Sequence, residues 1–378
     1  MTVDLAPVFN LSESIGFALL AMAISFLWAP FLTNILYRYN ITAGRRGQFD
    51  VTLTSLARRE KLATPVMGGL LVIVTIAVIT ILFNWERTFT WVPIGVMLLA
   101  AGLGALDDLL NIFGSPRRSK KLSHVLRLIR VHRHVHMRIW YTVSFPWTLF
   151  KRTAVWLSTH PGKGIQVHEK LLLQGLAGGI AAWWIYFKLG ANWHALHVPF
   201  LQSIDIGIFF IPLVIIIVIF TANAVNIADG MDGLAGGMLI PTFASLTLLS
   251  WIYGFPEMTI LNATTVGALV TYTYFNVKPA RFQMGDVGSL GLGALLAINA
   301  LVINAVIILP FFAFMFFVEA ISVIIQISSR YLFGKKVFKM APIHHHFELL
   351  GWSEEKIVMR FWILHFAFVL LGIWLGLQ

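Results

Sequence analysis

The sequence predicts an all-α polytopic integral membrane protein with about ten transmembrane helices and its chemistry gathered at one membrane face. Three observations predict it. Of 378 residues, 58% are hydrophobic and only 12% charged, against about 25% charged in a soluble domain. Apolar runs recur at about the 20-residue length that spans a bilayer. Basic residues fall almost wholly in alternate loops.

Ten runs have the required character: about 14–37, 66–84, 91–111, 171–189, 207–226, 234–253, 258–275, 287–305, 307–329 and 358–377. None shows the two-residue alternation of a membrane barrel. Residues 1–13 carry no Lys or Arg and the first run is long, so no cleavable signal peptide is expected. Cysteine is absent, which excludes disulfides and thiolate metal sites.

With ten spans both termini share one side. The loops about 38–65, 111–170, 276–286 and 330–357 then face the other side, with the tight connection near 227–233. All but Arg87 and Lys188 of the 28 lysines and arginines lie on that second side or at the start of the last helix. Loops rich in Lys and Arg stay cytoplasmic. Both termini are therefore expected outside, and the basic loops in the cytoplasm. The formal charge of +11 follows from this asymmetry and suits anionic membrane lipid, so nucleic acid is not an expected partner.

Five aspartates gather on the same side. Asp107 and Asp108 end the third run, in GLGALDDLLN; Asp229 and Asp232 sit in NAVNIADGMDGLAGG; Asp286 sits in FQMGDVGSLGLG. Carboxylates near the membrane are costly. One at the interface reads as a helix cap, but five from three segments read as a site. Adjacent Asp107 and Asp108 point about 100° apart on a helix, so one can bind a metal while the other faces a second reactant. Asp229 and Asp232 share a face if their turn is helical. Oxygen ligands without cysteine suggest Mg²⁺ rather than zinc.

Glycines flank these aspartates at predicted helix starts. There, free N–H groups and the positive dipole end favour phosphate, although close helix packing also uses glycine. His344, His345 and His346, in APIHHHFELLGW, lie on the same face. Three consecutive imidazoles rarely converge on one metal, so at least one is expected to contact phosphate oxygens or a departing nucleotide. Divalent cation, backbone donors and basic loops together describe a site for a phosphorylated substrate.

These motifs, in this order, resemble the phospho-N-acetylmuramoyl-pentapeptide transferase family, within the polyprenyl-phosphate N-acetylhexosamine-1-phosphate transferases. Carrying the match are KLATPVMGG at 61–69, the Asp107–Asp108 pair, Asn223–Gly236, Asn276–Leu290, and PIHHHFELLGWSEEKIVMRFW within Met340–Trp362. A shorter match runs from Lys163 through Lys170 to Gln174. The histidine block resembles the muramoyl-pentapeptide branch rather than relatives using UDP-N-acetylglucosamine.

The resemblance implies a single transmembrane transferase domain over 1–378 in the bacterial inner membrane. It implies transfer of phospho-MurNAc-pentapeptide from UDP-MurNAc-pentapeptide to undecaprenyl phosphate, giving lipid I and UMP in peptidoglycan synthesis. Mg²⁺ is the implied cofactor, membrane lipids are partners, and a homodimer is a further expectation. Asp286 resembles the metal ligand. Asp107 resembles the base for the lipid phosphate, with Asp108 supporting metal or substrate. Asn226, Asp229, Gly230, Met231 and Asp232 match the nucleotide-contacting stretch. Lys61, Thr64, Lys170, Asn223, Gln283 and the three histidines match other site positions. The chain departs from the pattern at Asn111, where lysine is usual, at Gln283, where an aromatic is usual with Phe282 beside it here, and at Val66 and Val287, where threonine is usual.

Residues about 112–162 exceed the usual loop by roughly forty residues. The insertion is basic, His-rich and aromatic. Alternation of His132, His134 and His136 suits a strand or a small metal site. Trp, Leu and Ile among the basic residues suit lying on anionic headgroups; a solvated loop or partner recruitment are the other readings. Glu319, in VEAISVIIQ, is the one acid well inside a span and reads as a bond to a neighbouring helix or as tuning the site from behind. A transporter would place ionisable groups near the midplane, often in paired repeats; here they lie at one face and no repeat is visible. A sister enzyme using another UDP-aminosugar remains the nearer alternative.

Overall fold

The computed structural model describes residues 6–42, 64–113, 127–128, 130, 133–146, 164–189, 193, 195–201 and 203–378. A long helix stands at each of the ten predicted places: α1 (Ala6–Arg38), α2 (Leu70–Phe83), α3 (Trp91–Phe113), α5 (Val167–Trp184), α6 (Phe210–Ala228), α7 (Leu234–Ile252), α8 (Pro256–Asn276), α9 (Gly285–Val302), α11 (Phe314–Phe333) and α13 (Glu354–Gly376). Shorter helices are α4 (Val135–Val143), α10 (Leu309–Phe312) and α12 (Ile343–Glu348). Among the described residues, seven helices are long and apolar enough to cross a membrane on their own composition. The chain is a multi-pass membrane protein. Three of the ten expected spans fall outside that seven. α2 has 14 residues, α5 carries Glu169 and Lys170 in its first turn, and α8 is rich in Thr and Asn.

Two boundaries differ from expectation for local reasons. The predicted 307–329 span starts at Phe314, because Asn304 takes a left-handed conformation (φ 55°) and the short α10 with its early proline intervenes. The last helix starts earlier, at Glu354. Ser353 caps it by accepting from the Lys356 N–H, and Glu354 and Glu355 lie at its positive dipole end. The fold is also not purely helical: Ala195–Leu196 pairs antiparallel with Ile204–Asp205.

α9 is the axis of the bundle. All 18 of its residues are buried. It has no polar face because α3, α6 and α2 surround it, as a helix apolar all round must be. Small residues make the approach possible. Gly288 meets Gly69, Gly291 meets Ala101, and Gly293 meets the backbone of Ala222. On the outside, Leu27, Phe31, Leu82, Ile216 and Ile363 lie exposed, a surface that fits lipid tails rather than water.

Hydrogen bonds tie the helix ends together at two levels. At one level Asn84 donates to the Glu257 carbonyl, Trp193 to that of Val302, and Tyr253 to that of Gly376. At the other end of these helices lie the aspartates.

Candidate active site at the carboxylate face

Asp107 lies one turn and a half from the end of α3 and Asp286 in the first turn of α9. Each carboxylate has one oxygen on the same lysine: Lys170 Nζ is 2.6 Å from Asp107 Oδ2 and 2.7 Å from Asp286 Oδ2. The other oxygens are also held. The Ile165 N–H donates to Asp107 Oδ1 at 2.6 Å, and Asn226 Nδ2 donates to Asp286 Oδ1 at 3.0 Å. Asn226 reaches Ser289 Oγ as well, whose hydroxyl donates to the Gly285 carbonyl. Side chains of α3, α5, α6 and α9 thus meet in one network. Its carboxylates are buried, with side-chain exposures of 4% and 11%, while Lys170 keeps 19%. Each charge-assisted bond contributes about 1.5–3 kcal/mol. They hold two carboxylates together that would repel without the lysine.

The approach of α3 to α9 is set by Gly104, where a Cβ would collide with the Asp286 backbone. Asp108 faces the same helix start from the other side and accepts from the Val287 N–H at 3.3 Å. Gly285 enters α9 at φ 73°, with its Cα against Asp108 and Met67. A side chain there would be strained and obstructed. The 64–69 segment braces this start. Gly68 and Gly69 donate to the Gln283 and Met284 carbonyls, and the Gln283 N–H donates to the Pro65 carbonyl. Thr64 immediately precedes that pairing; Lys61 lies outside the described residues.

The turn after α6 is not helical, so Asp229 and Asp232 do not share a face as a helical turn would require. Asp229 accepts from the Gly285 N–H, and Asp232 from the Ala280 N–H, at 3.2 Å each. The Asp232 N–H donates to Glu354, and the Gly233 N–H to Asn276. Lys278 closes this side on Glu354 and Glu355 at 3.2 and 2.7 Å.

On α12 the rings of His344 and His345 pack with centroids 4.2 Å apart, while His346 turns to Phe338. His344 is buried. Its Nδ1 lies 3.0 Å from Glu319 Oε2, off the line of a hydrogen bond, and among the described residues the Glu319 carboxylate has no hydrogen-bond partner. On the other ring edge, Nε2 packs on Gly230, where any Cβ would strike it. His345 Nδ1 lies 3.0 Å from Glu348, and His346 Nδ1 accepts from the Lys339 N–H. His344 therefore backs the Asp229 turn, while its neighbours bond locally. Glu319 thus stands behind the site, on this histidine, which fits the second of the two readings of its sequence position.

Some predicted contacts are placed differently. The Met231 side chain is buried among the apolar core residues. Asn223 faces α5, donating to Gln174 Oε1. Phe282 is fully buried against Tyr272 and Phe275, so it does not replace the missing aromatic; Gln283 beside it is partly exposed. Residues sequence reading missed are Gly104, Gly164, Ile165, Ser289 and Glu354. Gly104 precedes the Asp107–Asp108 pair, and Gly164 and Ile165 fall in the Lys163–Gln174 match, but Ile165 acts through its backbone N–H, a role its residue type does not record. In the insertion, a helix replaces the suggested strand. His134 and His136 have ring centroids 5.5 Å apart, and His132 lies outside the described residues.

Among the described residues no three His, Asp or Glu side chains form a closed metal cage. The donor set still fits Mg²⁺. That ion takes one or two carboxylates and completes its shell with water and substrate phosphate, and Asp286 and Asp108 flank one helix start with oxygen donors.

The description Glycosyl transferase family 4 matches residues 162–304, which contain Lys170, Asn226, Asp229, Asp232 and Asp286. Three proteins named phospho-N-acetylmuramoyl-pentapeptide-transferase are similar over most of their length. That of Chloroflexus aggregans is 35% identical over 327 residues, 84% of this chain and 78% of its own. That of Leptospira biflexa is 34% identical over 323, covering 81% and 78%. That of Caldanaerobacter subterraneus subsp. tengcongensis is 31% identical over 328, covering 86% and 88%. Identity at this level over more than four fifths of its length means that the chain belongs to the phospho-N-acetylmuramoyl-pentapeptide-transferase family.

Proposed function

We propose that this chain transfers phospho-MurNAc-pentapeptide from UDP-MurNAc-pentapeptide to undecaprenyl phosphate, forming lipid I and UMP. One observation carries the reading beside the family: the Asp107–Lys170–Asp286 bridge. Two anionic reactants must meet, so the site has to supply positive charge and a fixed line of approach. Lys170 offsets one of the two buried carboxylate charges and fixes both acids at one point, and a divalent cation on the carboxylates would supply the remaining positive charge.

Asp107 takes the last proton from the lipid phosphate. An oxygen of that phosphate bonds to the sugar-bearing phosphorus as the anhydride bond breaks, and the electron pair leaves with UMP. Asn226 and Ser289 keep Asp286 oriented, and the Asp229–Asp232 turn backed by His344 receives the nucleotide side. Asp286 and Asp108 would hold Mg²⁺, which would supply positive charge at the diphosphate and the departing UMP. The chain works as one domain with ten crossings in the bacterial inner membrane. Both termini lie outside and the carboxylates at the cytoplasmic face, as the distribution of Lys and Arg supports.

The test uses the purified chain with Mg²⁺, a polyprenyl phosphate and UDP-MurNAc-pentapeptide, measuring UMP and lipid product. Product from this donor, none from UDP-N-acetylglucosamine, and loss in Asp286→Ala are expected. Product from the second donor alone would move the chain to the sister branch. Omitting the lipid tests direct attack: a stoichiometric burst of UMP would instead require a covalent enzyme intermediate.

A further inference from the structure

The insertion is not used by the proposed reaction, yet it begins and ends at its site. It leaves from Phe113 at the end of α3, six residues after Asp107, and returns at Gly164 and Ile165, where the backbone bonds Asp107. No acid occurs between Asp108 and Glu169. Within that stretch α4, Val135–Val143, has no buried residue. Val135, Ile139 and Val143 repeat every four residues and are 67%, 60% and 72% exposed, with Trp140 beside them at 65%. Residues at that spacing share one helix face. Arg138 lies about 160° around the helix from Trp140, Tyr141 sits opposite the Val135–Ile139–Val143 stripe, and Arg133 stands just before the helix; both arginines are exposed.

A nine-residue helix is marginal alone in water, so its apolar face needs a partner. The polypeptide joins α4 to a membrane-spanning helix at one end and to the carboxylate face at the other. A lipid surface therefore lies within reach of it. Its charge is uniformly basic, and a basic helix with Trp and branched aliphatics on one side suits the boundary between headgroups and acyl chains.

We propose that α4 docks on the anionic phospholipid headgroups of the leaflet bordering the carboxylate face. Val135, Ile139, Trp140 and Val143 face the acyl chains, and Arg133 and Arg138 face the phosphates.

The absence of cysteine makes a direct test possible in the full-length chain. Trp140→Cys and, separately, Tyr141→Cys carry a nitroxide label, with the protein reconstituted in phosphatidylcholine alone or with phosphatidylglycerol. In anionic vesicles the label at 140 should favour collision with oxygen over a water-soluble nickel reagent, and that at 141 the reverse. In neutral vesicles both labels should read as aqueous. Adding Arg133→Gln and Arg138→Gln to Trp140→Cys should abolish the anionic response. Aqueous readings at 140 in both lipids would overturn the proposal in favour of a solvated loop. Immersion in neutral lipid as well would overturn the role of charge. Shielding from both reagents, already present in detergent, would mean a protein partner or second copy covers the face. None of these readouts depends on turnover.

Discussion

His344 Nδ1 and Glu319 Oε2 lie 3.0 Å apart, and both side chains are buried. The glutamate comes from inside α11 and the imidazole from a six-residue helix, so the pair fixes α12 against the bundle and sets where Nε2 points: at Gly230. A group that orients a functional histidine typically matters by ten- to a hundredfold. Glu319→Gln is expected to lower kcat/KM about tenfold without unfolding the chain. Combined with His344→Asn it should add little further loss, because both changes remove one unit. Independent, additive losses in steady-state UMP release would separate the two residues.

Lys170 holds two carboxylates at 2.6 and 2.7 Å. Lys170→Met leaves them facing one another uncompensated. Removing one partner of a fully buried pair costs about 3–5 kcal/mol; the 19% exposure of Lys170 reduces that here. Activity should fall by roughly a hundredfold or more, the scale of a lost electrostatic stabiliser. Lys170→Arg should not restore it, since a planar fork does not fit where a compact ammonium bridges two single oxygens. Recovery of near-native rates in Lys170→Arg would show that positive charge alone suffices.

Gly104 sits where α3 touches the backbone of Asp286. Gly104→Ala therefore pushes α9 away from Asp107 at the point where one lysine must reach both acids. A strain of about 1–3 kcal/mol is expected, read as a lowered Tm, with a larger proportional loss of kcat than of substrate affinity. Gly102→Ala, on the same helix in open space, should leave both nearly unchanged.

Much of this was legible in the sequence. Apolar runs located all ten of these helices, and seven of them reach the length and apolarity that a bilayer imposes. The charge asymmetry put five aspartates on one face. What connects them was not legible. Lys170 lies 63 positions from Asp107 and 116 from Asp286, and no local pattern says that one ammonium serves both. α9 is apolar all round, so periodicity could not tell which face meets α3. The burial of Met231 and Phe282, and the pairing of Glu319 with His344, depend on how helices cross rather than on their own sequences.

Asn111 stands where the resemblance leads one to expect a lysine. A Cβ on Gly164 would meet the Asn111 side chain and Asp107 Oδ1, and the next residue gives its N–H to the same oxygen at 2.6 Å. The segment that follows the insertion thus lies where a lysine at 111 would extend, with the Lys170 ammonium already on Asp107. Asn111→Lys should for this reason lower activity rather than restore a lost function. The longer side chain displaces Gly164 and Ile165, frees Asp107 Oδ1, and places a second cation beside the Lys170 ammonium. The same substitution in a chain with the insertion deleted between 114 and 163 should be tolerated better. Measuring UMP release for both pairs decides it. A gain of activity from Asn111→Lys in the full-length chain would show that this segment yields easily and that the site lacks positive charge.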